Sequence, residues 1–199
     1  MENGQKFTGE SFESYQFPDT PVKGCHFIDC SFRNAPMQEL KTAGCVFSSC
    51  DFTRAHMNGS SHESSAFTNC RFVKTNLFAS TFTNCKLTGS TFREVAISGM
   101  TIIEGDWSYV SLRHTMLKGF DLHNVIFREA DLYGCDLEKV NFQGADLTNA
   151  VIQQSKLAGA DLRGSVVDGV DFRNIDLTGV HVGVAQALVI VHSYGLLIE

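Results

Sequence analysis

Large apolar residues return at every fifth position along almost the whole chain. From Phe7 to Val182, 34 of the 36 positions whose numbers end in 2 or 7 are apolar, and only Thr42 and His62 are not. A helix repeats every 3.6 residues and a strand every 2, so neither places all of these centre residues on one side of the backbone. The chain must therefore bend once in each five-residue unit, so that every centre turns towards the same interior.

A second position in each unit predicts a narrow, filled interior. Two residues before each centre the chain is mostly Ala, Ser, Thr, Cys, Gly or Val, as in the segment 130–149. Two inward side chains per unit share a close-packed bore when one of them is small. Bends at a fixed period make a coil, and stacked coils bury a continuous core. Asp, Asn or Ser often precedes the centre, where such side chains bond nearby backbone and favour a bend.

The units "ADLYG" (130–134), "ADLTN" (145–149) and "ADLRG" (160–164) match the A-(D/N)-L-x-x consensus of the pentapeptide-repeat family, which this sequence resembles. The resemblance implies an all-β solenoid, a right-handed quadrilateral parallel β-helix with four units per coil. Residues 1–182 are then expected to form about nine coils in which residues twenty apart stack. Residues 183–199 follow the last unit, and we expect them to form a short C-terminal helix and tail that cap the coils.

The C-terminal segment "GVAQALVIVHSYGLLIE" places apolar residues at helical spacing. A capping segment usually shows water a polar outer face, whereas this one is apolar, so we expect a second copy of the chain to cover it. The predicted homodimer interface consists of Val184, Ala187, Leu188, Val191, Tyr194, Leu196 and Leu197.

The net charge of -6 arises in the C-terminal part of the chain, because residues 121–199 carry 11 acids and five bases. This sign argues against direct nucleic-acid binding through basic patches. An acidic surface could instead occupy a groove built for DNA, which is itself a rod of negative charge. Each single aspartate could equally be turn chemistry, and that alternative stays open. The predicted acidic partner-binding surface consists of Asp121, Asp131, Asp136, Asp146, Asp161, Asp171 and Asp176.

The remaining composition predicts a cytoplasmic protein with no cofactor, no metal and no membrane contact. No apolar run approaches the ~18 residues of a membrane span, and the N-terminal residues show no secretory signal. All seven cysteines occupy the small inward position, which favours buried thiols in a reducing compartment over disulfides or zinc ligands.

No catalytic motif stands out, and a filled bore offers no substrate cleft, so we expect no enzymatic activity. Ser60, Ser61, His62 and Glu63 include the residue types of a nucleophilic site, but neighbours in sequence seldom converge, and the segment is predicted to be a polar loop. Because the two polar centres lie twenty residues apart and the three prolines lie nearby, we expect a loosened corner at 18–24, 36–44 and 57–65. This corner is a secondary candidate for partner contact.

The stretch 64–87, the chain length and the apolar C-terminus are similar to a subgroup that includes the albicidin-resistance and mycobacterial fluoroquinolone-resistance proteins. That resemblance implies a DNA-mimicking homodimer that binds DNA gyrase, a type II topoisomerase, and protects it from a topoisomerase poison such as albicidin or a fluoroquinolone. The alternative is a generic pentapeptide-repeat scaffold that binds another protein partner.

Overall fold

The computed structural model describes residues 1–196 and confirms the parallel β-solenoid with a short C-terminal helix. Every backbone pairing is parallel and joins residues twenty apart, which places four five-residue units in each coil. The chain forms two compact units, residues 1–106 and 107–199.

Unit 1 carries the extended strands. The strands are β1 (Lys6–Thr8), β2 (Val22–Lys23), β3 (His26–Ile28), β4 (Lys41–Ala43), β5 (Val46–Ser48), β6 (Ser61–Glu63), β7 (Ala66–Thr68), β8 (Arg71–Val73), β9 (Thr81–Lys86), β10 (Thr91–Arg93) and β11 (Thr101–Asp106). Eight of them form one sheet in the order β1-β3-β5-β7-β9-β6-β4-β2, and β11 also pairs with β9 in this sheet. Strands β8 and β10 pair in a second sheet. The rings of Phe27, Phe47 and Phe67 stack in the interior with centroids 4.7 and 4.6 Å apart.

Unit 2 is built from turns joined by single parallel bridges, followed by the helix α1 (Val184–Ser193). Its coils have four faces, and we name each face by one of its stacked centres. They are the Leu122 face (Leu122, Phe142, Leu162), the Phe127 face (Phe127, Leu147, Val167), the Leu132 face (Leu112, Leu132, Ile152, Phe172) and the Leu137 face (Leu117, Leu137, Leu157, Leu177).

In almost every unit of residues 1–196, the bend comes from a left-handed residue two places after the centre. Asn34 has φ 54° and Gly134 has φ 68° at this place. Where the centre carbonyl also accepts from the N–H three residues on, as Leu132 does from Cys135 at 3.2 Å, the geometry is that of a type II turn. At Gly134 the fit is also steric, because a Cβ there would lie 2.4 Å from Nδ1 of His114 in the coil below.

Thiol and hydroxyl groups at the small inward position bond the coil below. The Cys135 thiol donates to the Leu112 carbonyl at 3.0 Å, and the Ser155 hydroxyl donates to the Leu132 carbonyl at 2.6 Å. All seven cysteines are buried and free, which confirms their predicted position in the bore.

The predicted loosening is wrong for the stack that contains the two polar centres. Strands β2, β4, β6 and β9 continue in register through Thr42 and His62, and both side chains are buried. Segment 60–63 is therefore part of the sheet and the core and does not form the predicted polar loop.

A closed hydrogen-bond network accommodates this polar pair. The Ser65 hydroxyl donates to the Glu63 carbonyl at 3.0 Å, so the Thr42 hydroxyl donates to Ser65 Oγ at 3.2 Å. Thr42 Oγ1 then accepts from Nδ1–H of His62 at 2.8 Å, and the Ser60 hydroxyl donates to His62 Nε2 at 3.0 Å. Each polar atom has its partner, and the imidazole is neutral with its proton on Nδ1.

At the predicted corner, the loosening lies in the first two coils, between residues 16–21 and 36–41. Between the second and third coils, three backbone hydrogen bonds are formed on this side. They run from Met37 N to His56 O at 2.9 Å, from His56 N to Ala35 O at 3.0 Å, and from Glu39 N to Asn58 O at 3.0 Å. The three equivalent bonds one coil lower are not formed within residues 1–196.

Proline explains one of the three missing bonds. Pro36 has no N–H to donate to the Tyr15 carbonyl. The equivalent bonds from Phe17 N to Pro36 O and from Asp19 N to Gln38 O are also absent, so the two coils separate on this side.

Acid sensitivity of unit 1 follows from His62. Burial lowers the pKa of this imidazole to about 3, below its ordinary value of about 6.5. The folded chain keeps the ring neutral while the unfolded chain takes up a proton below about pH 6.5. The free energy of unfolding should therefore fall as pH decreases from about 6.5 towards 3, by up to about 1.4 kcal/mol per pH unit.

The test compares the natural chain with the variant Thr42→Val/Ser60→Ala/His62→Leu. This variant removes the imidazole ring together with the two hydroxyl groups that hydrogen-bond to it. Denaturant unfolding of both chains between about pH 7 and about pH 5 should show a loss of about 1 kcal/mol or more in the natural chain relative to the variant. If the difference in the free energy of unfolding between the two chains does not change with pH, the assignment of His62 as a neutral buried imidazole is wrong.

Candidate partner-binding surface

All seven predicted aspartates act first as turn caps. Each accepts a hydrogen bond from the backbone N–H two residues later, the arrangement of an Asx turn. The distances run from 2.9 Å at Asp176 to 3.4 Å at Asp121. The other five caps are Asp131, Asp136, Asp146, Asp161 and Asp171. The predicted role as bend-maker is confirmed for each of them.

The seven aspartates do not share one face. Residues five apart in sequence lie on successive faces, so the row seen in the sequence is distributed around the coil. Asp121 and Asp161 lie on the Leu122 face, and Asp146 lies on the Phe127 face. By the same spacing, the Leu132 face holds Asp131 and Asp171, and the Leu137 face holds Asp136 and Asp176.

Arginines neutralise four of these carboxylates. Asp131 pairs with Arg113 at 2.9 Å and Asp146 with Arg128 at 2.6 Å, each arginine lying 18 residues earlier in the coil below. The remaining two pairs lie within one unit, and they are Asp161 with Arg163 at 2.6 Å and Asp171 with Arg173 at 2.7 Å.

Hydrogen bonds favour the ionised form of Asp161, Asp171 and Asp176. The hydrogen bond from Arg163 holds the pKa of Asp161 well below its usual range. The hydrogen bond from Arg173 lowers the pKa of Asp171 to about 2. At Asp176 the hydrogen bonds from the Thr178 side chain and backbone lower the pKa without any base. Asp161, Asp171 and Asp176 therefore remain charged at neutral pH.

The excess negative charge of the coils in unit 2 falls on two adjacent faces. With histidine neutral, the Leu122 and Phe127 faces carry five acids and two bases, a net charge of -3. The Leu132 and Leu137 faces carry five acids and five bases and are neutral. The first set is Asp121, Glu129, Asp146, Asp161, Asp168, Arg128 and Arg163. The second set is Asp131, Asp136, Glu138, Asp171, Asp176, Arg113, Lys118, Lys139, Lys156 and Arg173.

Glu129 and Asp168 belong to the acidic faces but were missed in the sequence. Neither occupies the position before a centre, on which the prediction was based. Both side chains are exposed, and Glu129 accepts a hydrogen bond from the Tyr109 hydroxyl at 3.0 Å. Both residues are found when charges are counted separately for each face, among units spaced twenty residues apart, instead of along the chain.

The helix α1 is fastened by few polar contacts. The Gln186 side chain, its buried residue, donates to the Ser165 carbonyl at 2.7 Å, and the Tyr194 hydroxyl donates to the Phe172 carbonyl at 3.2 Å. On the outer side Val184 is 81% exposed and Leu188, one turn later, is 40% exposed.

Some of the other predicted interface residues are half-buried, and others are exposed to solvent. Ala187 and Val191 are half-buried, whereas Tyr194 and Leu196 are exposed. Leu197 lies outside the described residues. The structure thus leaves an apolar strip on α1 open to solvent.

Residues 1–196 contain no group of three or more His, Cys, Asp or Glu side chains that could hold a metal ion. In the same part of the chain no helix is long and apolar enough to span a bilayer.

Comparison with solved structures shows a shared fold. Trypsin-treated QnrB1, a plasmid-mediated fluoroquinolone resistance protein, superposes with a TM-score of 0.87 at 20% identity, covering 99% of this chain and 99% of that chain. Full-length QnrB1 gives a TM-score of 0.73 at 20% identity, covering 98% and 99%. No curated protein sequence matches the chain.

Two family models match the repeats themselves. The model for a pentapeptide repeat region matches residues 75–150, and the model for eight copies of the pentapeptide repeat matches residues 145–181. Together they span residues 75–181, more than half of the chain. The repeat, the coil that it forms and these matches agree, and the chain belongs to the pentapeptide-repeat family.

Proposed function

We propose that this chain is a non-enzymatic, DNA-mimicking protein that binds bacterial DNA gyrase in the cytoplasm and protects it from a topoisomerase poison such as albicidin or a fluoroquinolone. The observation that carries the proposal is the net charge of -3 on the Leu122 and Phe127 faces beside two neutral faces. The solenoid shared with QnrB1, a fluoroquinolone resistance protein, supports the same role.

A one-sided charge suits a protein that enters a DNA-binding groove. Such a groove is lined with Lys and Arg, and it attracts a regular array of carboxylates before contact. On each face the stacked coils repeat at ~4.8 Å, so acidic positions two coils apart are separated by roughly 10 Å. The neutral faces would then turn away from the groove.

The proposed assembly is a homodimer through α1. Val184 and Leu188 lie one helical turn apart on the exposed side, and burial of two such side chains against a second copy is favourable. An isologous contact of this kind closes as a two-fold dimer.

A gyrase supercoiling assay in the presence and absence of a poison tests the function directly. We expect added protein to restore supercoiling in the presence of the poison. If gyrase responds to the protein in neither condition, the generic scaffold with another protein partner is the better account.

Charge neutralisation tests which faces bind. Asparagine retains the oxygen that caps the turn and removes only the charge, so Asp121→Asn/Asp161→Asn/Asp168→Asn should leave the fold intact. We expect this variant to bind gyrase about tenfold more weakly, measured by surface plasmon resonance at low salt.

The matched control is Asp131→Asn/Asp171→Asn/Asp176→Asn, which removes the same charge from the neutral faces. Its affinity should stay within about twofold of the natural chain. Equal losses in the two variants would show that overall charge, and not the Leu122 and Phe127 faces, governs binding.

The dimer prediction rests on exposed residues of α1. Val184→Asp/Leu188→Asp places two charges in the proposed interface without entering the core, so light scattering should report a monomer. The control Val151→Asp makes the same kind of change on the Leu132 face and should remain dimeric. A dimer that survives the helix substitutions would place the interface elsewhere.

A further inference from the structure

The opening between the first two coils is a cleft with walls of defined chemistry. Its volume is about 380 Å³, within the range of ligand sites of roughly 300 to 1,000 Å³. The apolar part of its lining comes from Phe17, Pro18, Pro36 and Leu40. The cleft lies entirely within unit 1 and is independent of the acidic faces.

Unused backbone groups border this cleft on both sides. In a regular coil Phe17 and Asp19 would donate their N–H groups to the carbonyls of Pro36 and Gln38, and these bonds are not formed. Buried or sheltered backbone groups gain from a partner, and an extended peptide offers carbonyls and N–H groups in alternation. The lower wall therefore offers donors and the upper wall acceptors.

The charged rim favours a basic side chain. Asp19 and Glu39 contribute two carboxylates to the lining, against one base, Lys41. Neither carboxylate makes an ion pair or a hydrogen bond within residues 1–196. A lysine or arginine that follows the apolar floor would meet both of them, with its stem packed on proline and phenylalanine carbons.

We propose that this cleft is a binding site for a short extended peptide segment of a partner protein that carries a basic residue. The backbone of the segment bonds the open edges of the two coils, and its arginine or lysine meets Asp19 and Glu39. Pro36 helps to keep the site open, because it has no N–H to donate to the Tyr15 carbonyl.

The test is an NMR titration of the full chain with two blocked tripeptides, acetyl-Val-Arg-Val-amide and acetyl-Val-Gln-Val-amide. We expect the arginine peptide to shift the amide signals of Phe17, Asp19, Gln38 and Leu40, and to bind about three to ten times more tightly than the glutamine peptide. Absence of shifts at these residues, or equal binding of the two peptides, would overturn the proposal.

Two variants separate the contributions of charge and opening. Asp19→Asn/Glu39→Gln should weaken the arginine peptide about three- to tenfold and leave the glutamine peptide unchanged. Pro36→Ser should close the cleft and weaken both peptides, and its new amide should be protected from hydrogen exchange.

The control His56→Ser changes the equivalent position one coil higher, where the bond to Ala35 already exists, and should bind like the natural chain. If Pro36→Ser binds both peptides as the natural chain does, the missing bond is not what forms the site, and the assignment fails.

Discussion

The structure depends on one geometric demand, which is that the same side of the backbone must face the interior at every fifth residue. The chain meets it with a left-handed residue two places after the centre. Within residues 1–196, twenty residues other than glycine adopt φ between 47° and 62°, among them Lys74, Glu94 and Tyr109, for which this region is unfavourable. Burial of the centres and the bonds between coils must offset that cost, so tertiary packing, and not local preference, sets the bend.

Periodicity made the core predictable but not the exceptions to it. The coiled chain and the inward place of every cysteine follow from the spacing, whereas the four units per coil were implied by the family resemblance. Thr42 and His62 looked like defects because a pattern of polarity cannot show that two polar side chains satisfy each other. Pro36 was noticed only as one of three prolines. Its effect lies in a single absent N–H, which matters because the residue below it, Tyr15, would accept the bond.

The residues of the acidic faces could be predicted only in part, because order along the chain is not order around the coil. Asp131 and Asp136 are five residues apart, and the same period that defines the core places them on different faces. The ion pairs were less accessible to prediction. Arg113 and Arg128 reach Asp131 and Asp146 across a coil boundary, and that contact depends on side-chain rotamers that a repeat pattern does not specify.

Turn chemistry does not by itself account for the acidic faces. Asn76 and Asn141 cap the same turn with an amide oxygen and carry no charge, and Val151 and Val166 occupy the same position with no cap at all. A carboxylate before the centre is therefore more than the fold requires. Where the extra charge is matched by a base, as at Asp171, it is locally neutral. On the Leu122 and Phe127 faces it is not balanced, and that imbalance costs self-repulsion that the fold itself does not require.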